Sequence, residues 1–392
     1  MTVTFVELTA HREADGWIVG RAPAGPFVAL PDLGMETIEL LSAGRSTAEV
    51  HAELHRRHGE EVDVAAFVAS LDRIGFVARI DGRPGATVVQ PRPSLPWLRS
   101  GHLRWLVRWP AAVVWCAVVL AAVVLLVRSP ERRPGLADLV WADSAALVLL
   151  VDAVVASVVI SLHELGHLAV ARAFGVPGTV TLSTRLTVLV AQTDVTGAWA
   201  LPRRRRVLVY LAGTATDLLV AAGCLFGSLG FAADGTVATC LRAVVLTIGL
   251  GALLQWALFL RTDGYFLVQD VSGCRNLYGD AGRLLRFWVR RGPDPRPGLP
   301  PRERRFVSGY APFMAVGAVL TVGAFVVVSV PVLVRLLVVA GGDVARGVSG
   351  PHWADLADGV VGLAVLAAFH GTLLWLLGRR LLGAVRRRRG TT

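Results

Sequence analysis

The pattern of apolar and polar residues divides the chain into a mixed N-terminal part and a far more apolar remainder. After residue 109 come six apolar runs, each long enough to cross a hydrocarbon layer of about 30 Å as a helix. We predict spans at about 110–127, 143–173, 206–230, 237–260, 307–338 and 357–378. The mean hydropathy of +0.57 is too high for a soluble protein. The expected fold is therefore an α-helical multi-pass membrane protein with about six transmembrane helices and a small N-terminal α+β domain.

Shorter apolar runs within residues 1–82 predict a domain with its own core. Strands are expected at 17–19, 27–30 and 76–80, and a first helix at 33–41. Ser46 and Glu49 form a capping box that opens a second helix, which ends near residue 58. Asp63 caps a third helix, whose apolar stripe is Val64, Phe67, Val68, Leu71 and Ile74. This order of elements predicts a winged-helix-like module.

Two further segments flank the predicted membrane domain, which we place at residues 110–380. Residues 83–109 are a Pro-rich linker that leads into an interfacial segment, where tryptophan and arginine alternate. Residues 381–392 form a basic tail. Tryptophans of this kind are enriched where a protein meets the headgroup layer.

The net charge of +11 is unevenly distributed, and every basic residue is arginine. Residues 1–82 carry a net charge of −6, whereas the remainder is strongly positive. Arginines concentrate at 172–206, at 261–306 and in the tail, and the positive-inside rule then places both termini in the cytoplasm of a cell-membrane protein. Positive charge beside apolar spans indicates a lipid bilayer as partner and argues against nucleic acid.

The second predicted span contains His163-Glu164-Leu165-Gly166-His167. Two histidines four residues apart lie on one face of a helix and can hold one zinc ion, while the glutamate between them can act as general base. Ionisable groups at membrane depth cost about 2.5–3.5 kcal/mol each unless they are used. The motif therefore predicts one Zn²⁺ per chain, bound by His163 and His167, with Glu164 as the catalytic residue.

The choice of residues for the third metal ligand can be narrowed by elimination and topology. Position 173 is alanine rather than histidine, and the only glutamate after Glu164 lies in an Arg-rich loop. That leaves aspartate. Asp263 is best placed, because the second and fourth spans should both end on the cytoplasmic side. Asp217 and Asp270 remain weaker alternatives.

On these residues the chain resembles the site-2 protease family of intramembrane zinc metalloproteases, in its bacterial peptide-zinc-metalloprotease form. The histidine motif matches the family's first motif, and Asp263-Gly264-Tyr265-Phe266 matches its Asp-Gly motif. The resemblance covers roughly residues 110–380 and implies zinc held by His163, His167 and Asp263. One departure is Asp217, where many members carry asparagine.

Other polar residues could serve the same site. Asp194, Asp217 and Asn276 are candidates for binding the substrate or the transition-state oxyanion. Residues 179–190 are rich in β-branched residues and predict either a hairpin directed towards the active site or a connecting loop.

The N-terminal module resembles the PqqD-like domains that recognise leader peptides of ribosomally made, modified peptides. In that family the peptide adds as a strand to the sheet edge, beside the third helix. Carried over to this chain, the resemblance implies a groove formed by Phe27, Val28, Leu30, Phe67, Leu71 and Ile74.

Together these features predict an intramembrane zinc metalloendopeptidase that removes the leader from a precursor peptide, in company with peptide-modifying enzymes or an exporter. Two alternatives remain open: cleavage of a membrane-anchored signalling protein, and a peptide carrier or export accessory without proteolytic activity.

Overall fold

The computed structural model of the chain describes residues 1–13, 16–21, 25–59, 61–86, 92–185, 188–256, 258, 262–274, 276–290, 292–350 and 352–389. Some predictions therefore fall partly outside the described residues. They concern positions 87–91 of the linker, the last residues of the fourth predicted span and the final three residues of the tail.

The N-terminal region is a small α+β domain, as predicted. Its elements are β1 (Val3–Phe5), β2 (Thr9–Glu13), β3 (Gly16–Gly20), β4 (Phe27–Leu30), α1 (Asp32–Ser42), α2 (Thr47–His58), α3 (Val64–Arg73), β5 (Val77–Ile80) and β6 (Arg83–Pro84). The strands pair antiparallel in two sheets, ordered β1-β5-β6 and β2-β3-β4. Fully buried Leu41, Leu54, Val68 and Phe76 lie in the common core.

The predicted helix starts in this domain are confirmed. Ser46 accepts the backbone N–H of Glu49, the Glu49 side chain accepts the N–H of Ser46, and Asp63 accepts the N–H of Ala66. Strands β1 and β2 are absent from the sequence-based prediction, because Thr9–Glu13 has no apolar alternation. Their extended form depends on pairing with other strands. Strand β1 pairs with β5, which is distant in the sequence, and β2 pairs with β3.

The remainder of the described chain is almost entirely helical. Its elements are α4 (Ser100–Leu103), α5 (Trp109–Arg128), α6 (Ala145–Ala173), β7 (Thr179–Arg185), β8 (Val188–Asp194), α7 (Arg203–Gly227), α8 (Thr236–Gln255), α9 (Asp263–Ser272), α10 (Leu277–Arg290), α11 (Pro301–Ser349) and α12 (Trp353–Arg389). Within the described residues, six helices are long and apolar enough to cross a membrane. The predicted number of long apolar helices, about six, is thus confirmed.

The fifth predicted span, 307–338, lies within a longer helix. Helix α11 runs from Pro301 to Ser349, and its segment Val326–Ser349 is long and apolar enough to cross a membrane. At 1.5 Å per residue such a helix is about 70 Å long, more than twice the hydrocarbon thickness. The first turns of α11 instead pack on α10 through Val307, Tyr310 and Ala311.

Several elements meet at the end of the bundle where α6 finishes and α7 begins. Strands β7 and β8 pair from Thr179 with Asp194 to Arg185 with Val188, so the predicted hairpin is present. Strand β8 packs along α6, and α9 packs on α7. The β2-β3-β4 sheet contacts the short 3-10 turn Thr196–Ala200, which places the N-terminal domain at this same end.

Candidate metal centre

Two histidines of α6 and one aspartate of α9 converge inside the bundle. His163 and His167 are one turn apart on α6 and almost completely buried. Asp263 is the first residue of α9. The nitrogen and oxygen atoms of these three side chains that could bind a metal ion all lie within 4.8 Å of one another. The predicted ligand set is therefore brought together in space.

The three facing atoms form a nearly equilateral triangle. Asp263 Oδ2 lies 3.0 Å from His163 Nε2 and 3.1 Å from His167 Nε2, and the two nitrogens are 3.2 Å apart. Donors that hold an ion tetrahedrally at about 2.0–2.2 Å are roughly 3.3–3.5 Å apart. The triangle therefore fits a small divalent ion with an outward adjustment of a few tenths of an ångström.

The second nitrogen of each histidine is held by α7. His163 Nδ1–H donates to Asp217 Oδ2 at 2.8 Å, and His167 Nδ1–H donates to the carbonyl of Val209 at 2.7 Å. A carbonyl can only accept, so the proton of His167 lies on Nδ1 and its Nε2 lone pair is free to bind a metal. Carboxylate and carbonyl partners of this kind orient metal-binding histidines.

Gly213 lets α7 approach the ligands closely. A Cβ at this position would lie 2.4 Å from Nε2 of both His163 and His167. Gly166 plays a similar part on α6, since a Cβ there would lie 2.3 Å from Thr216 Oγ1. Sequence reasoning missed the role of Gly213, although Val209, Gly213 and Asp217 recur every four residues and so share one face of α7.

A buried ion pair fixes the helix that carries Asp263. Arg206, at the start of α7, donates from Nη2 and Nε to Asp270 Oδ1 and Oδ2 at 2.6 and 3.1 Å. The same guanidinium lies over the ring of Trp199, 5.0 Å from its centroid. Asp270 is two turns beyond Asp263 on α9. It is therefore placed as the partner of Arg206, away from the histidines.

The three aspartates considered as third ligand are thus distinguished by their contacts. Asp217 binds the far side of His163, Asp270 binds Arg206, and Asp263 faces both Nε2 atoms. Asp263 is therefore the aspartate that completes the triangle.

Glu164 is adjacent to the triangle and is held by the hairpin. The backbone N–H of Thr193 donates to Glu164 Oε2 at 2.8 Å, and the Thr193 hydroxyl donates to the Glu164 carbonyl at 3.0 Å. The β8 strand thereby fixes the carboxylate of the residue that follows His163. This contact is a further feature that the sequence alone did not reveal.

Two cavities reach Glu164 and His163 from different directions. The larger, about 790 Å³, is bordered by the triangle, the Thr193–Thr196 segment, Trp199 and Gln269. The smaller, about 380 Å³, lies between α6 and α8 and extends from His163 to Asp152, which accepts a hydrogen bond from Trp141 Nε1. Ligand clefts commonly enclose about 300–1,000 Å³, so both are large enough to admit part of a polypeptide.

The other candidate site residues lie in different places relative to the two cavities. Asp194 borders the larger cavity, but its Oδ1 accepts the N–H and hydroxyl of Thr196 and so forms a turn. Asp217 borders the smaller cavity. Asn276 caps α10 by accepting the N–H of Gly279 and borders neither cavity.

The six side chains expected to form a leader-peptide groove do not share one open surface. Leu30 and Leu71 are buried in the domain core, and Val28, Phe67 and Ile74 pack around that core. Phe27 lies on the opposite face of β4, because successive strand residues alternate, and its ring covers Gly20.

Comparisons of the chain with protein-family models, with curated proteins and with solved structures find no match. The site-2-protease-like and PqqD-like resemblances therefore rest on the sequence motifs and patterns described above. The functional conclusion depends on the geometry of the site.

Proposed function

We propose that this protein is a zinc metalloendopeptidase whose active centre lies within a membrane. The observation that carries the proposal is the triangle of His163, His167 and Asp263, with Glu164 beside it. Three protein ligands leave a fourth position open, as in catalytic zinc sites. The six apolar helices of the described chain support a membrane location, and the Arg-rich loops favour a cytoplasmic N-terminal domain and tail.

The chemistry divides between the ion and the side chains. Bound zinc would supply a Lewis acid that lowers the pKa of a coordinated water to about 7. Glu164 takes a proton from the nucleophile and returns it to the departing amine. The Thr193 N–H keeps the carboxylate oriented towards the ligands, while Asp217 and the Val209 carbonyl hold the imidazoles in the metal-binding tautomer.

The substrate proposal is removal of a leader from a ribosomally made, modified peptide. It is supported by the resemblance of the N-terminal module to peptide-recognition domains and by the position of that module beside the centre. In this proposal the module receives the precursor, and the larger cavity admits an extended segment to Glu164. Cleavage of a membrane-anchored regulator uses the same chemistry and differs only in the source of the polypeptide.

Cleavage of a candidate precursor peptide in liposomes, read by mass spectrometry, tests the proposal. Wild type is compared with Glu164→Gln, which preserves all three ligands but removes the base. We expect one zinc per chain in both proteins and a cut only by the wild type. If both proteins bind the peptide equally and neither cuts it, the chain is a carrier rather than a protease.

A further inference from the structure

A second large cavity lies between the N-terminal domain and the membrane domain. It encloses about 680 Å³ and is bordered on one side by β2, β3 and β4, and on the other by the Trp199–Arg203 segment, the end of α9 and the start of α11. We call it the interdomain cleft. It shares Phe27 and Val28 with the groove that the sequence resemblance implied, but the α3 residues of that groove do not border it.

The outer face of the β2-β3-β4 sheet forms one wall of this cleft. Ile18 and Ala29 are register partners on this face, opposite to the face that packs against the domain core. Ile18 is only 7% exposed. Its side chain points away from its own core, on the side of β3 that contacts the 3-10 turn Thr196–Ala200. The sheet is therefore docked over the 3-10 turn beside the candidate metal centre.

The interdomain cleft and the larger cavity at the metal centre are neighbours, because Trp199 and Gln269 border both. Trp199 is fixed by the Arg206 guanidinium over its ring, and Gln269 lies on α9, between Asp263 and the helix end. An extended chain lying in the cleft is therefore close to the cavity that Glu164 borders.

The charge of the cleft is positive. Among the described residues its arginines come from three elements: Arg12 of β2, Arg203 of α7 and Arg302 of α11, all exposed. The one bordering carboxylate, Asp270, is already paired with Arg206, and Arg12 lies 3.8 Å from the exposed carboxylate of Asp32. Arg203 donates to the last carbonyls of α9, which keeps its cation at the cleft wall.

We infer that the interdomain cleft binds an acidic, extended segment of the substrate polypeptide and directs the adjoining residues to the metal centre. Carboxylates of the segment pair with Arg12, Arg203 and Arg302, while the apolar sheet face accommodates the side chains between them. The border that the cleft shares with the larger cavity favours a peptide over lipid headgroups. The inference rests on the proposed peptidase function, but binding can be measured without cleavage.

The test uses full-length Glu164→Gln protein in detergent and a fluorescein-labelled decapeptide of alternating glutamate and valine. A twin peptide with glutamine in place of glutamate controls for charge. Fluorescence anisotropy should show binding of the acidic peptide and at least tenfold weaker binding of its twin. Arg302→Glu, alone and with Arg12→Glu, should weaken binding by roughly tenfold or more. Arg302 lies in the first turn of α11, where a carboxylate suits the helix dipole, so the single variant should fold normally.

Arg79→Glu is the matched control, since Arg79 is exposed on β5 and does not border the cleft. It should bind the acidic peptide as the parent protein does. Absence of binding by the parent, or equal loss with Arg79→Glu, would overturn the inference even if wild type proves to be a protease. If charge reversal instead weakens only attachment to phosphatidylglycerol vesicles, the arginines bind lipid and the inference is wrong.

Discussion

Replacing Gly213 by alanine should disable the metal centre with little other change to the protein. The added methyl carbon would lie 2.4 Å from Nε2 of His163 and of His167, the two nitrogens that face Asp263. Gly223 provides a matched control on the same helix, because a Cβ there meets nothing within 4 Å.

The size of the effect follows from the contact distances. Ordinary contact with a Cβ begins near 3.4 Å, so each nitrogen would have to move by about 1 Å, whereas metal–ligand distances vary by only about 0.2 Å. Loss of a supporting partner alone lowers metal affinity by about 10–100-fold. Displacing two ligands should exceed this and weaken binding by at least about 100-fold, or ~2.7 kcal/mol.

The measurement is competition for zinc with a fluorescent chelator, on purified protein in detergent, together with the metal content after dialysis. Gly223→Ala should bind zinc as the wild type does and be as stable or slightly more so, since alanine favours a helix by about 0.5–1 kcal/mol over glycine. Thermal unfolding of the metal-free proteins separates lost affinity from lost folding.

Binding of one zinc ion by Gly213→Ala with wild-type affinity would refute this prediction. The face of α7 that carries Gly213 would then lie farther from the histidines than described, or the ion would be held elsewhere. A loss shared equally by Gly223→Ala would point to a general intolerance of α7 to larger residues.

Three further predictions concern the supports of the site and the N-terminal domain. Asp217→Ala should lower zinc affinity by about 10–100-fold in the same chelator assay, because His163 loses its Nδ1 partner, while the protein still folds. Unchanged affinity would show that this hydrogen bond does not orient the ligand. Asp270→Ala should lower the free energy of unfolding by about 3–5 kcal/mol, measured with denaturant, since it leaves buried Arg206 unpaired. The double variant Arg206→Met with Asp270→Leu should lose less stability. Equal losses of stability in the two variants would contradict this prediction. The hydrogen bond from His58 lowers the pKa of Glu36 below its ordinary value of 4.5. The stability that this hydrogen bond contributes is therefore present above pH 4.5 and is lost as the pH falls through the lower pKa of the folded state. The hydrogen-exchange protection factors of α1, which are corrected for the intrinsic pH dependence of exchange, should therefore fall at acid pH in wild type, and Glu36→Gln should show a smaller fall.

Much of the architecture follows from local pattern. Long uncharged apolar runs predict helices, since a backbone in a membrane satisfies its polar groups within a helix, and six such helices are present among the described residues. The capping residues Ser46 and Asp63 set helix starts through hydrogen bonds three residues away, and such short-range effects are visible in the sequence. The full length of α11 was not predicted, because its first turns are covered by α10 and hydropathy does not reveal what covers a helix.

The sequence by itself determined the chemistry of the candidate centre: two histidines one turn apart, a glutamate between them and a limited choice of aspartates. Only the tertiary structure decided among those aspartates, since Asp217, Asp263 and Asp270 differ in their partners and not in their type. It also showed that Gly213 makes room for the ligands, that Thr193 holds Glu164, and that the N-terminal sheet turns its outer face to the membrane domain. These contacts join residues tens of positions apart, and their distances depend on how whole helices and sheets pack, which no local pattern specifies.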